Sequence, residues 1–287
     1  MRADTLCDRT LHLPGGRRVA WREYGDPRGR PVVYCHGMPG SRLEPFPGDG
    51  VPADAGLRFI VPDRPGYGGT DPRAGRTLGE EAADVEALAD RLDLETFDVL
   101  GFSGGGPHAL ALAQRFPRRV LSLTLVSSWA PFQRAGLEGM ADANRQLWEL
   151  AEADFPAFAH ALGEAVSAMG GAYDLLVGGA PEADRAIFED AAVAAAYRRS
   201  LEEAMRQGLD GMLEDAAALI APWDFDVAEI RCPVRLWHGD GDVNAPVGMG
   251  RWLARHLPEA ELTEWPGAAH FASFGRRMEI LADLAPA

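Results

Sequence analysis

A serine bracketed by glycines, Gly101-Phe102-Ser103-Gly104-Gly105, stands where an apolar run meets a helical one, and it narrows the folds open to this chain more than any other stretch. Thr96 to Leu100 reads as a short buried strand, with Phe97 and Val99 in alternation and an apolar end. Beyond it, Leu110, Ala113 and Phe116 keep helical spacing until Pro117 stops a helix that Pro107 is suited to start. The serine is thereby placed at a tight strand-to-helix corner of the G-x-S-x-G type. Such a corner brings two backbones together, so a Cβ at Gly101 or Gly105 is expected to clash. It also leaves the hydroxyl at a helix N-terminus, where N–H groups and the helix dipole favour developing negative charge. With 33 glycines in 287 residues the pattern alone is weak, and it gains weight from its surroundings.

Leu11-His12-Leu13 and Arg18 to Tyr24 flank Pro14-Gly15-Gly16 in the manner of a hairpin. Further strands are expected at Pro31 to Cys35, Leu57 to Val61, Val120 to Val126, Val234 to Trp237 and Glu261 to Trp265. Helices are expected from Thr77, with Val85, Leu88 and Leu92 on one face, near Val247 to His256, and at the end of the chain. This alternation predicts an α/β architecture, a mostly parallel eight-stranded sheet with helices on both faces. In such sheets ligands gather beyond the carboxyl ends of the strands. The glycine-rich loops at 36–41, 63–71, 101–106 and 238–242 all fall at that edge.

Between Pro131 and Pro222 the strand signal disappears. Leu137, Met140, Asn144, Leu147, Trp148 and Ala151 keep helical spacing, as do Phe155, Phe158, Leu162, Val166 and Met169, and a third run carries Phe188, Tyr197, Leu201 and Met205. The expected organisation is a core domain of residues 1–130 and 222–287, with a helical cap at 131–221 folded over the active edge. Most cap methionines and aromatics are expected to pack inside the cap. Met140, Trp148, Phe155, Phe158 and Met169 nonetheless give it an apolar character suited to an apolar chain of a substrate.

The 28 basic and 43 acidic side chains leave a formal net charge of −15, which disfavours a nucleic-acid partner. Every basic residue is arginine, which removes a Walker-type lysine, a Schiff-base lysine and a pyridoxal anchor together. Neither a signal-like h-region after Met1 nor a membrane-length apolar run is visible, so no membrane partner is expected. Cys7, Cys35 and Cys232 are scattered and lack metal spacing, which suits a reduced, cytoplasmic setting, with Cys35 a small core residue. The histidines and carboxylates show no H-x-x-x-H-like pattern either, so no metal and no cofactor are expected.

A serine hydroxyl needs a base, and the base an orienting acid. His238-Gly239-Asp240-Gly241-Asp242 follows one strand, and Gly267-Ala268-Ala269-His270-Phe271 follows the last. With His36-Gly37-Met38-Pro39-Gly40, Asp63-Arg64-Pro65-Gly66-Tyr67-Gly68 and Gly101 to Gly105, these five pieces stand in an order that resembles the α/β-hydrolase superfamily, in its cap-bearing, esterase-like branch. The resemblance covers nearly the whole chain. It implies Ser103 as nucleophile, His270 as base and Asp242 as acid, with Asp240 the rival acid. It also implies an oxyanion hole formed by the backbone N–H groups of Met38 and Gly104. The family's other acid site, after the sixth strand, holds Ser127 and Ser128 instead. Asp63 and Asp71 are expected to stabilise loops, and His36 and His238 to structure them; His12, His108, His160 and His256 have no motif context. Phe102, Trp129, Met140, Trp148 and Phe271 are the candidate substrate contacts.

The implied activity is that of a serine hydrolase cleaving an ester or related acyl bond of a small, partly apolar substrate. A serine at the nucleophile position sets the chain apart from dehalogenases and epoxide hydrolases of this fold, which carry aspartate there. Met38, where proline iminopeptidases have a second glycine, argues against peptidase action, and the absence of lysine argues against a hydroxynitrile lyase. C–C bond hydrolysis, peroxide chemistry or a biosynthetic tailoring step on the same triad stays open, as does a non-catalytic receptor for a small molecule.

Overall fold

A computed structural model describes residues 8–48, 51 and 55–284. Cys7 and the amino-terminal residues read for a leader lie outside the described residues. Among the described residues eight strands form one sheet: β1 (Arg9–His12), β2 (Arg18–Gly25), β3 (Arg30–Cys35), β4 (Leu57–Pro62), β5 (Phe97–Phe102), β6 (Val120–Val126), β7 (Val234–Gly239) and β8 (Ala260–Trp265). Their spatial order is β1-β2-β4-β3-β5-β6-β7-β8. Only β1 and β2 run antiparallel to their neighbours; β4, β3 and β5 to β8 pair in parallel. The serine corner therefore lies at the end of a central strand, and β5 is buried along its whole length. That explains its apolar composition, because a central parallel strand is covered on both faces.

The two-residue period of the strands divides the core in two. On one face Val33, Cys35, Val99, Leu123 and Leu125 pack against α1 (Leu78–Arg91) and α2 (Gly105–Arg115). Thr77 caps α1 through a capping box with Glu80. On the other face Val32, Tyr34, Leu100, Phe102 and Val126 share a cluster with Phe274, Ile280 and Leu281 of the last helix. Helix α2 begins at Gly105, two residues before the expected Pro107 start, because the corner turns within Ser103 and Gly104.

Between β6 and β7 the described residues form helices and connecting turns: α3 (Phe132–Ala135), α4 (Asp142–Ala153), α5 (Phe155–Ala168), α6 (Ala172–Gly178), α7 (Glu182–Ile187), α8 (Ala191–Ala204) and α9 (Asp210–Ile220). After β7 come α10 (Val247–His256) and, after β8, α11 (Ala272–Leu284). Three details of the helical reading need correction. Leu137 and Met140 lie in a turn between α3 and α4, where Gly136 and Gly139 take positive φ and no continuous helix can run. Phe188 ends α7, and α8 restarts only after Asp190, whose side chain caps it. Met169 is 45% exposed and adds nothing to an enclosed apolar surface. Helix α9 went unread in the sequence.

No helix among the described residues is long and apolar enough to cross a membrane.

Candidate active site

Ser103 sits at the corner after β5 with φ of 53°, a left-handed conformation that a serine adopts at a cost. Its backbone N–H donates to Val126 O at 2.9 Å, and its own carbonyl accepts from Gly106 N at 2.9 Å. The glycines around it are steric necessities. A Cβ on Gly105 would strike the carbonyls of Cys35 and His36, and one on Gly101 would lie 2.7 Å from Ala109 Cβ. The loop after β3 is thereby drawn against the start of α2. A Cβ on Gly104 would lie 2.6 Å from that of Met38, so the two residues adjoin. Among the described residues, neither the Met38 nor the Gly104 N–H has an intramolecular acceptor, so both remain available to an incoming oxygen.

The loops after β7 and β8 bring the other two side chains to this corner. His270 Nε2 lies 2.9 Å from Ser103 Oγ, and its Nδ1 lies 2.8 Å from Asp242 Oδ2. All three side chains are buried. The second Asp242 oxygen accepts from the N–H groups of Asn244 and Ala245 at 2.9 and 2.8 Å. Burial works against the Asp242 carboxylate, but His270 and His238 outweigh it and its pKa falls below the usual carboxylate range. Burial likewise opposes an imidazolium at His270, but Asp242, with Asp184 and Glu44 adding to it, outweighs burial and the pKa is raised. Asp240 turns elsewhere and accepts from Gly267 N at 2.7 Å. Ser127, at the family's alternative acid site, donates to the His270 carbonyl at 3.0 Å.

The expected loop roles are visible. Asp63 accepts from Arg42 N and Gly69 N, and Asp71 pairs with Arg18. His36 Nε2 accepts from Arg64 N at 3.2 Å, and His238 Nε2 meets Ala245 O at 2.6 Å.

The candidate substrate contacts are brought together unevenly. The Phe102 ring lies 5.3 Å from that of His270, and Trp129 borders Gly104. Trp148 stands edge-on to Trp129 at 5.0 Å and stacks on Phe158 at 6.0 Å, and buried Met140 belongs to the same apolar cluster. Phe271 lies on the other side, against Phe188 and Tyr197 at 5.1 and 5.2 Å.

Several charged residues near the site went unread in the sequence. Buried Glu44, in the loop after β3, accepts from Gly37 N at 2.9 Å and Tyr34 Oη at 2.7 Å; burial pushes its pKa up to about 7. Arg64 donates to the carbonyls of both His36 and Gly37 and pairs with Asp215 of α9 at 2.6 Å. Glu81, His108 and Asp215 bring potential metal-ligand atoms within 4.8 Å of one another. Arg64 and Arg76, however, pair with Asp215, and Arg76 also with Glu81. Two guanidiniums thus neutralise the two carboxylates, and a cation would meet repulsion rather than unbalanced negative charge.

Residues 30–276 match the family model described as the alpha/beta hydrolase fold. A pimeloyl-(acyl-carrier protein) methyl ester esterase of Aromatoleum aromaticum is 32% identical over 228 residues, covering 75% of this chain and 81% of that protein. A non-heme chloroperoxidase of Streptomyces lividans is 36% identical over 124 residues, 42% of this chain and 45% of its own. Among solved structures, a thermophilic esterase from Thermogutta terrifontis superimposes with a TM-score of 0.65 at 22% identity, covering 97% of this chain and 96% of that one.

Proposed function

The chain belongs to the α/β-hydrolase family and is an ester hydrolase, and from that premise we propose that Ser103, His270 and Asp242 are its catalytic triad and residues 131–221 its cap. The observation that carries this reading is the unbroken series Asp242–His270–Ser103, at 2.8 and 2.9 Å, beside two uncommitted amides. Ser103 Oγ attacks the ester carbonyl while His270 Nε2 takes its proton, and Asp242 keeps the other ring proton on Nδ1. The N–H groups of Met38 and Gly104 receive the oxyanion, each such donor contributing about 3–4 kcal/mol to the transition state. The C–O bond then breaks and His270 protonates the departing alcohol. Water enters, gives its proton to His270 and attacks the acyl-enzyme, and Ser103 leaves with that proton.

The substrate is a small carboxylic ester with an apolar part. The relative described as a methyl ester esterase supports the bond, and Trp129 beside Gly104, with Trp148 packed on it, supports the apolar preference. In a panel of p-nitrophenyl esters, kcat/KM rises from acetate to hexanoate by at most about fourfold per methylene, the equivalent of about 0.8 kcal/mol. A fluorophosphonate labels Ser103 stoichiometrically in the wild-type protein, fails with Ser103→Ala and is strongly slowed with His270→Ala. A folded wild-type protein that takes up no probe and turns over no ester overturns the reading. The likeness to a chloroperoxidase favours a second one, peroxide chemistry on the same triad, which would appear as peroxide-dependent turnover lost in Ser103→Ala.

A further inference from the structure

We propose that Asp184, carried by inserted helix α7, is a positioning residue for the general base, holding the His270 backbone in place and presenting the imidazolium with a further negative charge. The inference rests on the reading of His270 as the base.

The Asp184 side chain is completely buried, and each of its oxygens has one partner. Oδ2 accepts from the backbone N–H of His270 at 3.1 Å, and Oδ1 from that of Phe271 at 2.8 Å. These amides lie in the turn that leads into α11. What sets this contact apart from an ordinary turn bond is its origin. The acceptor comes from the insertion, 86 positions earlier in the chain, and the amide it takes is that of the base itself. Because Ser127 Oγ holds the His270 carbonyl at 3.0 Å, the base is fixed at both backbone ends. Its ring is then aimed by Asp242 and Ser103.

The surroundings make the contact strong. Phe188 follows α7 directly and packs edge-on against Phe271, while Tyr197 of α8 covers the same ring. With water shut out, the two N–H donors have no other acceptor, and losing the carboxylate would leave them unpaired. The charged and titratable groups facing His270 come from four elements: Ser103 at the β5 corner, Asp242 after β7, Glu44 after β3, and Asp184 on α7. Burial discourages the imidazolium, and the three carboxylates together overcome it. The seating of α7 on the core and the placement of the base are therefore one arrangement: an α7 lifted from the core would release the His270 amide.

The test follows fluorophosphonate labelling of Ser103 against pH in the wild type, Asp184→Asn and Asp184→Glu, with thermal melts to establish folding. An asparagine offers one acceptor oxygen for two donors and no charge. Labelling by Asp184→Asn is expected to slow about ten- to a hundredfold on the pH plateau, as small displacements of reacting groups do. Its acid limb is expected to move down by roughly half a pH unit, because an imidazolium facing one carboxylate fewer gives up its proton at lower pH. Asp184→Glu restores the charge, so its midpoint returns to the wild-type value. A folded Asp184→Asn with the wild-type plateau, or with a slow plateau and an unmoved midpoint, would falsify the proposal and leave Asp184 a structural contact alone. Should Asp184→Asn fail to fold, Asp184→Glu decides: its longer side chain displaces the His270 amide, so a slowed plateau at the wild-type midpoint supports the proposal and an unchanged plateau overturns it. Absence of labelling in the folded wild type would instead remove the triad reading, and this inference with it.

Discussion

The carboxyl edge of the sheet and the helices inserted after β6 meet at Ser103, but they are held there by different physics. At the edge the constraint is steric and local: Gly101, Gly104 and Gly105 stand where a single Cβ would collide with helix α2, the Met38 loop or the end of β3. The insertion is held by contacts from far along the chain, and its two halves differ again. Helices α4 and α5 rest on rings, with Trp148 against Trp129, Phe132 and Phe158. Helices α7 to α9 add polar ties to their rings: buried Asp184 on the His270 loop, Ser200 on Ser41 and Asp215 on Arg64, and half-buried Glu203 on Arg42. An apolar half can slide or repack at modest cost, whereas a half fastened by buried carboxylates must keep its partners or leave charges bare.

The largest effect is expected at the two acids of the loop after β7, each replaced in turn by asparagine. Asp242→Asn is expected to lose roughly 10⁴-fold in kcat, because the base then takes the wrong tautomer. Asp240→Asn, whose amide oxygen can still accept from Gly267 N, keeps most of its activity. Ester kinetics on the two proteins decides this, and a larger loss for Asp240→Asn would mean that the geometry of the loop misleads.

A smaller effect, on stability, separates the halves of the insertion. Asp215→Ala strips one partner from Arg64, Arg76 and Tyr67, and urea denaturation should show a loss of about 3–5 kcal/mol at neutral pH. Burial opposes the Asp215 carboxylate, but Arg64 and Arg76 prevail and hold its pKa below the ordinary range. Its contribution is therefore full above the unfolded carboxylate value and is lost as pH falls through the depressed folded one, so wild type and variant converge only in strong acid. Equal stabilities at neutral pH would dissolve the distinction.

The smallest effect sharpens the apolar side of the contrast. Leu162→Ala, within α5, removes buried methyl groups next to Phe158 and should cost about 2–3 kcal/mol, the low end for such truncations, because the outer helices can settle into the space. Its loss should be nearly independent of pH, unlike that of Asp215→Ala. A pH-dependent loss at Leu162 would show that the two halves unfold as a single unit with the ionic network.

How much of this was legible beforehand follows the same division. Strands β3, β4, β5 and β6 announce themselves as apolar runs because both their faces are covered. The Ser103 corner announces itself because close approach leaves only glycine. The roles proposed for Ser103, Asp242 and His270 came from the family resemblance of the loops that carry them, each of which follows a strand. The turn at Leu137 to Met140 was hidden because its apolar residues happen to keep helical spacing, and Gly136 and Gly139 are small signals within it.

The sequence by itself therefore determined the sheet, its carboxyl edge and the serine corner, since these depend on periodicity and on sterics between residues close in the chain. The carboxylates that stand behind that edge emerge only once the chain is folded. Asp184, Asp215 and Glu44 carry no signal in the sequence that marks them as buried. Asp184 finds its partners 86 and 87 positions away, and Asp215 meets Arg64 across 151. No local pattern encodes such a pairing, because an acid's charge is tolerated on any wet surface and acquires a role only when folding buries it beside a donor.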